Sequence, residues 1–440
     1  MSPTPFEDAP FQQTHRKLVS GATAGYISDG YTLGVVGIAL SAAESQLSLT
    51  PAWLGALGGG SLAGLLIGAL VSGSLADRCG RRPIYAYNMV AFIGLSLLQL
   101  LVSSALELLV IRVLLGLVLG TDYVVCKALL AEFIPRLKRG RALSLMGVAW
   151  AIGYSLAYIA GVLLGTSSPD AWRWILASSA IPALISLPLR LSARESPLWL
   201  TLAGRRVEAQ QIIDDCVGKG YGIPATVLSR TALNVALSAP RWRQLFSSAY
   251  RKSTLVASMV FFCLVAPYFA VSTFIPQVMA ALRITGNELA GLIYILGLLV
   301  GSVGGFMVVD CFPRRVFVIG SFTITSLALL LCVTVSGLPD VLVVLAFAVF
   351  SCVLSAAQAQ VYVYLPELFP TSVRASGLGI AVAASRLGAA AGTSLLPLCV
   401  THFGIHTALY MCIAILGLGG IASFLWAPET RHVHLDSLRT

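Results

Sequence analysis

Five ionisable side chains stand inside long apolar blocks of the chain: Asp29, Arg112, Asp122, Lys127 and Arg386. A charge at mid-bilayer costs about 3 kcal/mol or more, so each needs a partner or a task. Asp29 lies about 18 Å of helix from the start of its block, and Asp122 about 16 Å from the end of its own. Carboxylates at that depth and away from water cost less when they hold a proton. They can give it up when water returns, which is the chemistry of proton coupling. The plainer alternative for Asp122 is a permanent pair with Lys127 or Arg112. Arg112 either tunes Asp122 or holds helices together around Gly116 and Gly120, and Lys127 is near enough to the end of its block to snorkel. Arg386 has no acid in its own block and could offer a carboxylate two parallel hydrogen bonds, or else pair with Asp29. Trp150, Tyr154 and Tyr158 recur every four residues, on one helical face. With Tyr26 and Tyr268 they could wall in a ring, or simply pack between helices. Gln277, Gln358 and Gln360 would be the hydrogen-bonding set for a neutral solute.

The elements that hold these residues follow from composition. The chain has 440 residues, 57% apolar and 11% charged, against about 25% charged in a soluble domain. The apolar residues gather in twelve blocks, at about 17–42, 53–76, 84–104, 106–133, 141–165, 172–191, 251–281, 287–309, 315–336, 340–365, 375–400 and 404–427. Each is long enough to cross a bilayer as a helix, which takes about 20 residues. Period-two alternation is absent and lipid offers the backbone no partners, so an all-α polytopic membrane protein is expected. Pro267-Tyr268 and Pro276-Gln277 give the seventh block the pattern of a broken helix on a cavity wall. The first block carries Asp29 at its centre and is too long for a cleaved signal.

A net charge of +10 would on its own suit nucleic acid, but its distribution argues otherwise. With the N-terminus placed in the cytoplasm, the cytoplasmic loops and tails hold 24 of the 29 Lys and Arg residues, ten of them from Arg190 to Lys252. The opposite side holds Arg173 and Arg283. This positive-inside bias places both termini in the cytoplasm. The nine cysteines have no paired spacing, so neither disulfides nor a metal site is implied. No phosphate-cradling loop or nucleophile elbow is present, which argues against an enzyme, and no cofactor is called for.

The chain also repeats itself. Gly73-Ser-Leu-Ala-Asp77-Arg78-Cys79-Gly80-Arg81-Arg82 is answered by Gly305-Phe-Met-Val-Val-Asp310-Cys-Phe-Pro-Arg314-Arg315, offset by 233. Glu132…Pro135…Arg139 is answered by Glu367…Pro370…Arg374, offset by 235. The first run resembles the loop signature between helices 2 and 3 of the major facilitator superfamily. Arg194-Glu-Ser-Pro-Leu-Trp-Leu200 and Pro428-Glu-Thr430 resemble the runs after helices 6 and 12 of its sugar-porter-like and organic-ion-transporter-like branch. Gly120-Thr-Asp122-Tyr123 and Asp29-Gly-Tyr31 resemble motifs of bacterial metabolite:proton symporters, although Thr32 stands where those have a second Asp. The resemblance covers residues 17–430.

That resemblance implies twelve helices in two pseudo-symmetric six-helix halves, with helices 1 and 4 neighbours and both halves rocking about a site near the midplane. The expected organisation is a disordered cytoplasmic tail (1–16), an N-terminal bundle (17–191), a linker (192–250) with an amphipathic segment at 204–217, a C-terminal bundle (251–427) and a second tail (428–440). The loop signatures would latch the cytoplasmic side: Asp77, Arg81 and Arg82 with Glu132 and Arg139, and Asp310, Arg314 and Arg315 with Glu367 and Arg374. Organic-anion carriers of this branch have an arginine in the context of Arg386. A proton-driven importer of a small organic anion, aromatic or heterocyclic, is therefore expected, working as a monomer. A sugar or polyol symporter is the alternative; drug efflux and a non-transporting nutrient sensor fit less well.

Overall fold

A computed structural model describes residues 4–165, 170–223, 245–248, 250–282, 284, 287–308, 311–334, 339–369 and 373–430, without the side chains of 74, 287, 288, 374 and 375. Asp310 and the side chain of Arg374 therefore lie outside the described residues. Among the described residues ten helical runs are long and apolar enough to cross a membrane. One of these, Arg374–Trp426, turns at Gly404, whose φ of 82° suits glycine, and so supplies two spans. The helix that holds the first span, Gln13–Gly34, falls short of that apolarity because His15 and Arg16 open it ahead of the apolar block, and Lys17, Ser28, Asp29 and Thr32 follow. Counting it gives twelve spans.

Local chemistry fixes where the spans start and stop. Thr50 caps the second span (Pro51–Cys79) by accepting the Trp53 N–H at 3.4 Å, with Pro51 at the first helical position. Ser104 does the same for the fourth (Ala105–Phe133), and Glu107 reaches back to the Ser103 N–H at 2.9 Å. The first and seventh spans are both broken near one end, into Gln13–Gly34 with Val36–Ala43 and Arg251–Thr273 with Ile275–Ala281.

Without a hydrophobic drive between helices in lipid, close approach comes from small residues. A Cβ at Gly30 on the first span would lie 2.0 Å from the Trp150 carbonyl oxygen on the fifth (Arg136–Leu164). The two halves touch by the same device. A Cβ at Gly55 on the second span would lie 2.1 Å from the Ser394 carbonyl on the eleventh, and one at Gly291 on the eighth (Asn287–Val308) would lie 1.6 Å from the Tyr158 hydroxyl on the fifth. Both seams are at the distal end, where Thr50 opens the second span. Gln277 belongs to this seam too: its Nε2 donates to Ser41 Oγ at 2.7 Å and to the Gly37 carbonyl at 3.4 Å.

At the opposite, proximal end the N-terminal segment is folded rather than a disordered tail. Thr4–Pro5 pairs in parallel with Tyr221–Gly222, Phe6 is buried edge-on to Phe133, and His15 is stacked against Phe11. Asp8 meets Arg136 at 2.7 Å and Glu7 meets Arg139 at 3.6 Å. Apolar residues at 5, 6, 9 and 11 explain this: the segment has an apolar side that its prolines obscure. Among the described residues the linker carries two helices, Pro197–Leu202 and Arg206–Val217, the second covering most of the expected amphipathic stretch.

Candidate functional site

The central charges sit in the N-terminal half. Asp29 on the first span and Asp122 on the fourth are both buried, 0% and 1% exposed, and lie side by side. Their neighbour is Arg190, in the last turn of the sixth span's second helix, Ala180–Leu191. Arg190 Nη2 donates to Asp122 Oδ2 at 2.9 Å, and Nη1 donates to Oδ1, a forked pair. The same guanidinium donates to the carbonyls of Gly21 (3.3 Å) and Tyr85 (3.4 Å) and lies 4.4 Å from the Tyr85 ring centroid. Room for it comes from Gly25, where a Cβ would fall 1.5 Å from Nη2. Asn88 donates to the Val118 carbonyl at 3.0 Å and lies 3.5 Å from Asp122 Oδ1.

Asp122 is thus paired, but with neither Lys127 nor Arg112. Arg190, counted from the sequence among the cytoplasmic-side cations, is instead a buried member of the bundle and leaves that count. The signal was available: Gly21 and Gly25 are small residues four apart facing the end of the sixth span. Arg112 is buried and donates both Nη atoms to the Thr32 carbonyl at 3.4 Å, reaching no carboxylate among the described residues.

Asp29 has no such partner. Neither of its oxygens makes a hydrogen bond of ordinary geometry to the described residues. One guanidinium can neutralise one carboxylate, not two. The buried trio Asp29, Asp122 and Arg190 carries an excess negative charge unless a proton sits on it or another cation approaches.

Aromatic rings join the halves above this trio. Trp150 stacks on Tyr154 at 5.2 Å and meets Tyr268 (6.4 Å) and Phe269 (5.9 Å) of the seventh span. Tyr158 takes part in the distal seam. Tyr26 packs against Tyr123 at 5.3 Å, and Lys127 Nζ lies 6.0 Å from Tyr26, 5.9 Å from Tyr123 and 5.1 Å from Tyr362 of the tenth span (Asp340–Glu367). Arg386 on the eleventh span is half-buried, its guanidinium 5.4 Å from the Tyr123 centroid and its Nε without a hydrogen-bond partner among the described residues. It does not pair with Asp29. Gln360 is buried with neither amide atom bonded, and Gln358 is half-buried.

The loop signatures form one cluster in each half. Arg81 meets Asp77 at 3.0 Å and Glu132 at 3.3 Å. Arg139 turns away from them to Glu7 and the Ile134 carbonyl. In the other half Arg314 lies 3.6 Å from Glu367, and Arg315 donates to the Phe424 carbonyl at 2.6 Å. Two further acids complete the clusters. Glu195 accepts the N–H groups of Arg81 (3.0 Å) and Arg82 (3.2 Å), and Glu429 accepts those of Arg314 (3.0 Å) and Arg315 (3.0 Å). Each carboxylate sits at the positive end of a helix, at the start of the third span (Arg81–Leu98) or the ninth (Arg314–Thr334). Both acids stand in motifs that mark the branch, yet spacing alone gave them no partner.

Sequence and fold comparisons agree with this architecture. A family model described as "Sugar (and other) transporter" matches residues 20–440, and the chain belongs to that family of major facilitator transporters. The inner membrane metabolite transport protein YgcS of Escherichia coli (strain K12) is 36% identical, over 99% of this chain and 96% of that protein. The niacin transporter NiaP of Acinetobacter baylyi is 25% identical over 98% of both chains, and a gallate transporter of Pseudomonas putida 29% over 92% and 90%. An inward-open structure of the xylose transporter XylE from E. coli superposes with a TM-score of 0.79 at 20% identity, covering 96% of this chain and 99% of that one.

Proposed function

We propose that this transporter imports a small organic anion, an aromatic or heterocyclic carboxylate, together with protons. The observation that carries proton coupling is Asp29: a buried carboxylate that accepts no hydrogen bond from a donor among the described residues, beside a carboxylate whose charge Arg190 already balances. Loading a proton there makes the trio neutral and lets the halves close over it. Opening to the cytoplasm lets water take the proton away. Arg112 would hold the first and fourth spans in register around that step through the Thr32 carbonyl.

The substrate class rests on Arg386, whose guanidinium lies against an aromatic ring in the cleft and has a donor to spare. Tyr26, Trp150, Tyr154, Tyr158 and Tyr268 would flank the substrate's ring. The niacin and gallate transporters among the relatives are consistent with such a cargo. With both termini in the cytoplasm, the closed distal seam makes this conformation inward-facing. In the outward-facing state the clusters around Arg81, Arg82 and Glu132, and around Arg314, Arg315 and Glu367, would brace the two halves together, with Arg139, Asp310 and Arg374 joining them.

One observation favours a neutral, sugar-like solute instead. Gln360 is buried with both ends of its amide unbonded, as a hydroxyl-binding residue would be. Gln277 does not serve that reading, being held in the distal seam. Counterflow in proteoliposomes over a panel of carboxylates and sugars at two pH values decides between them. Exchange of carboxylates alone is expected. Competition by sugars but not carboxylates, or uptake indifferent to a protonophore, overturns the first reading.

A further inference from the structure

Lys127 lies in the proximal half of the fourth span, six residues before Phe133, about 9 Å from the helix end. Its Nζ is enclosed by three rings from three spans and two halves: Tyr26, Tyr123 and Tyr362. A snorkelling lysine would reach past its own helix to the proximal surface. This one points toward the C-terminal half. Tyr362 has Phe261 on one side at 5.8 Å and Lys127 on another, and Lys127 itself is half-buried. No carboxylate forms an ion pair with Lys127 among the described residues. Tyr123, about 15 Å from the same helix end, has Lys127 and Arg386 each within cation–π range of its ring. Arg386, twelve residues into the eleventh span, is about 18 Å deep.

We infer that Lys127 is a second anion-binding residue, forming an exit subsite for the substrate carboxylate on the cytoplasmic side of Arg386. The inference rests on the reading of the protein as a carrier of aromatic carboxylates. Arg386 belongs to the C-terminal half and Lys127 to the N-terminal half, with the Tyr123 ring as the surface between them. An aromatic carboxylate leaving Arg386 can slide its ring over Tyr123 while its charge passes to Lys127. There Tyr26 and Tyr362 replace the rings it leaves. The ammonium keeps an anion from stalling at the deeper guanidinium, because the next site offers a comparable charge nearer water.

The test uses the full-length protein reconstituted in proteoliposomes of one orientation, with nicotinate as probe and nicotinamide as its uncharged control. For Lys127→Gln, the apparent KM for nicotinate presented at the cytoplasmic face is expected to rise by about tenfold, the loss of one cation–carboxylate contact. The KM at the opposite face changes by less than about twofold, nicotinamide is unaffected at both faces, and Lys127→Arg restores the wild-type asymmetry. A lysine that merely balances Asp29 would shift the pH profile for both compounds at both faces. That result, or unchanged nicotinate kinetics in a Lys127→Gln protein with wild-type thermal stability, overturns the inference and leaves the carrier reading standing. Wild-type protein that exchanges no aromatic carboxylate overturns both.

Discussion

Arg190 on the sixth span holds both carboxylate oxygens of Asp122 on the fourth, in a place where neither side chain meets solvent. Removing one partner of a buried pair costs more than the pair is worth, because the other charge stays behind. Asp122→Asn is expected to destabilise the protein by about 3–5 kcal/mol. The double variant Asp122→Asn, Arg190→Gln should recover much of that loss. Thermal unfolding in detergent, as a double-mutant cycle, checks it. Equal melting temperatures for wild type and Asp122→Asn would mean the pair is not formed. Since both residues belong to one half, the pair travels with that half, and the proposed proton cycle rests on Asp29, which accepts no hydrogen bond from a donor among the described residues.

Glu195 and Glu429 are equivalent caps, 234 residues apart, each receiving two backbone N–H groups at the start of a span. Glu195→Gln and Glu429→Gln should each cost about 1–2 kcal/mol, since the helix-end charge and two charge-assisted bonds weaken together. In opposite halves, and capping different helices, the two effects should add. Chemical unfolding of the single and double variants measures this; a strongly non-additive double would show that the clusters communicate.

The distal seam has no spare volume at Gly55 or Gly291. Gly55→Trp and Gly291→Trp should each wedge the halves apart at that end and abolish transport without unfolding either bundle. Labelling of a cysteine introduced into the distal half of the cleft should rise in both variants. Wild-type transport by either variant would mean the seam does not close during the cycle.

His15 is buried among Phe6, Phe11 and Phe133, with Nδ1 accepting the Gln12 N–H at 3.0 Å. Burial holds its pKa below the usual 6.5. The folded segment therefore favours neutral His15, and its stability is complete above pH 6.5 and declines as pH falls below that value, where the unfolded segment takes up a proton first. Hydrogen exchange of residues 4–12 is expected to quicken from pH 7 to pH 5 after correction for intrinsic rates, and His15→Phe should remove that dependence.

The twelve spans and their duplication were legible because apolar length and paired motifs are properties of consecutive residues. Partnership across the bundle was not. Arg190 reads as a cytoplasmic-side cation, since only the packing of the sixth span against Gly21 and Gly25 draws it inward. Lys127 reads as a snorkelling lysine until Tyr362 of the other half is seen beside it. The N-terminal segment looks disordered because its prolines hide an apolar side that is completed only against Phe133 and the linker strand Tyr221–Gly222. Gln277 looks like a substrate ligand until the break at Phe274 turns it into the seam.

The central claim is that Asp29 carries the transported proton, and uptake driven by an imposed pH gradient in proteoliposomes tests it most directly. Asp29→Asn, neutral at every pH, should lose gradient-driven accumulation of the anion while keeping counterflow exchange within about twofold to threefold of wild type, since binding and rocking need only a neutral trio. Accumulation by Asp29→Asn that still follows the pH gradient would contradict the account.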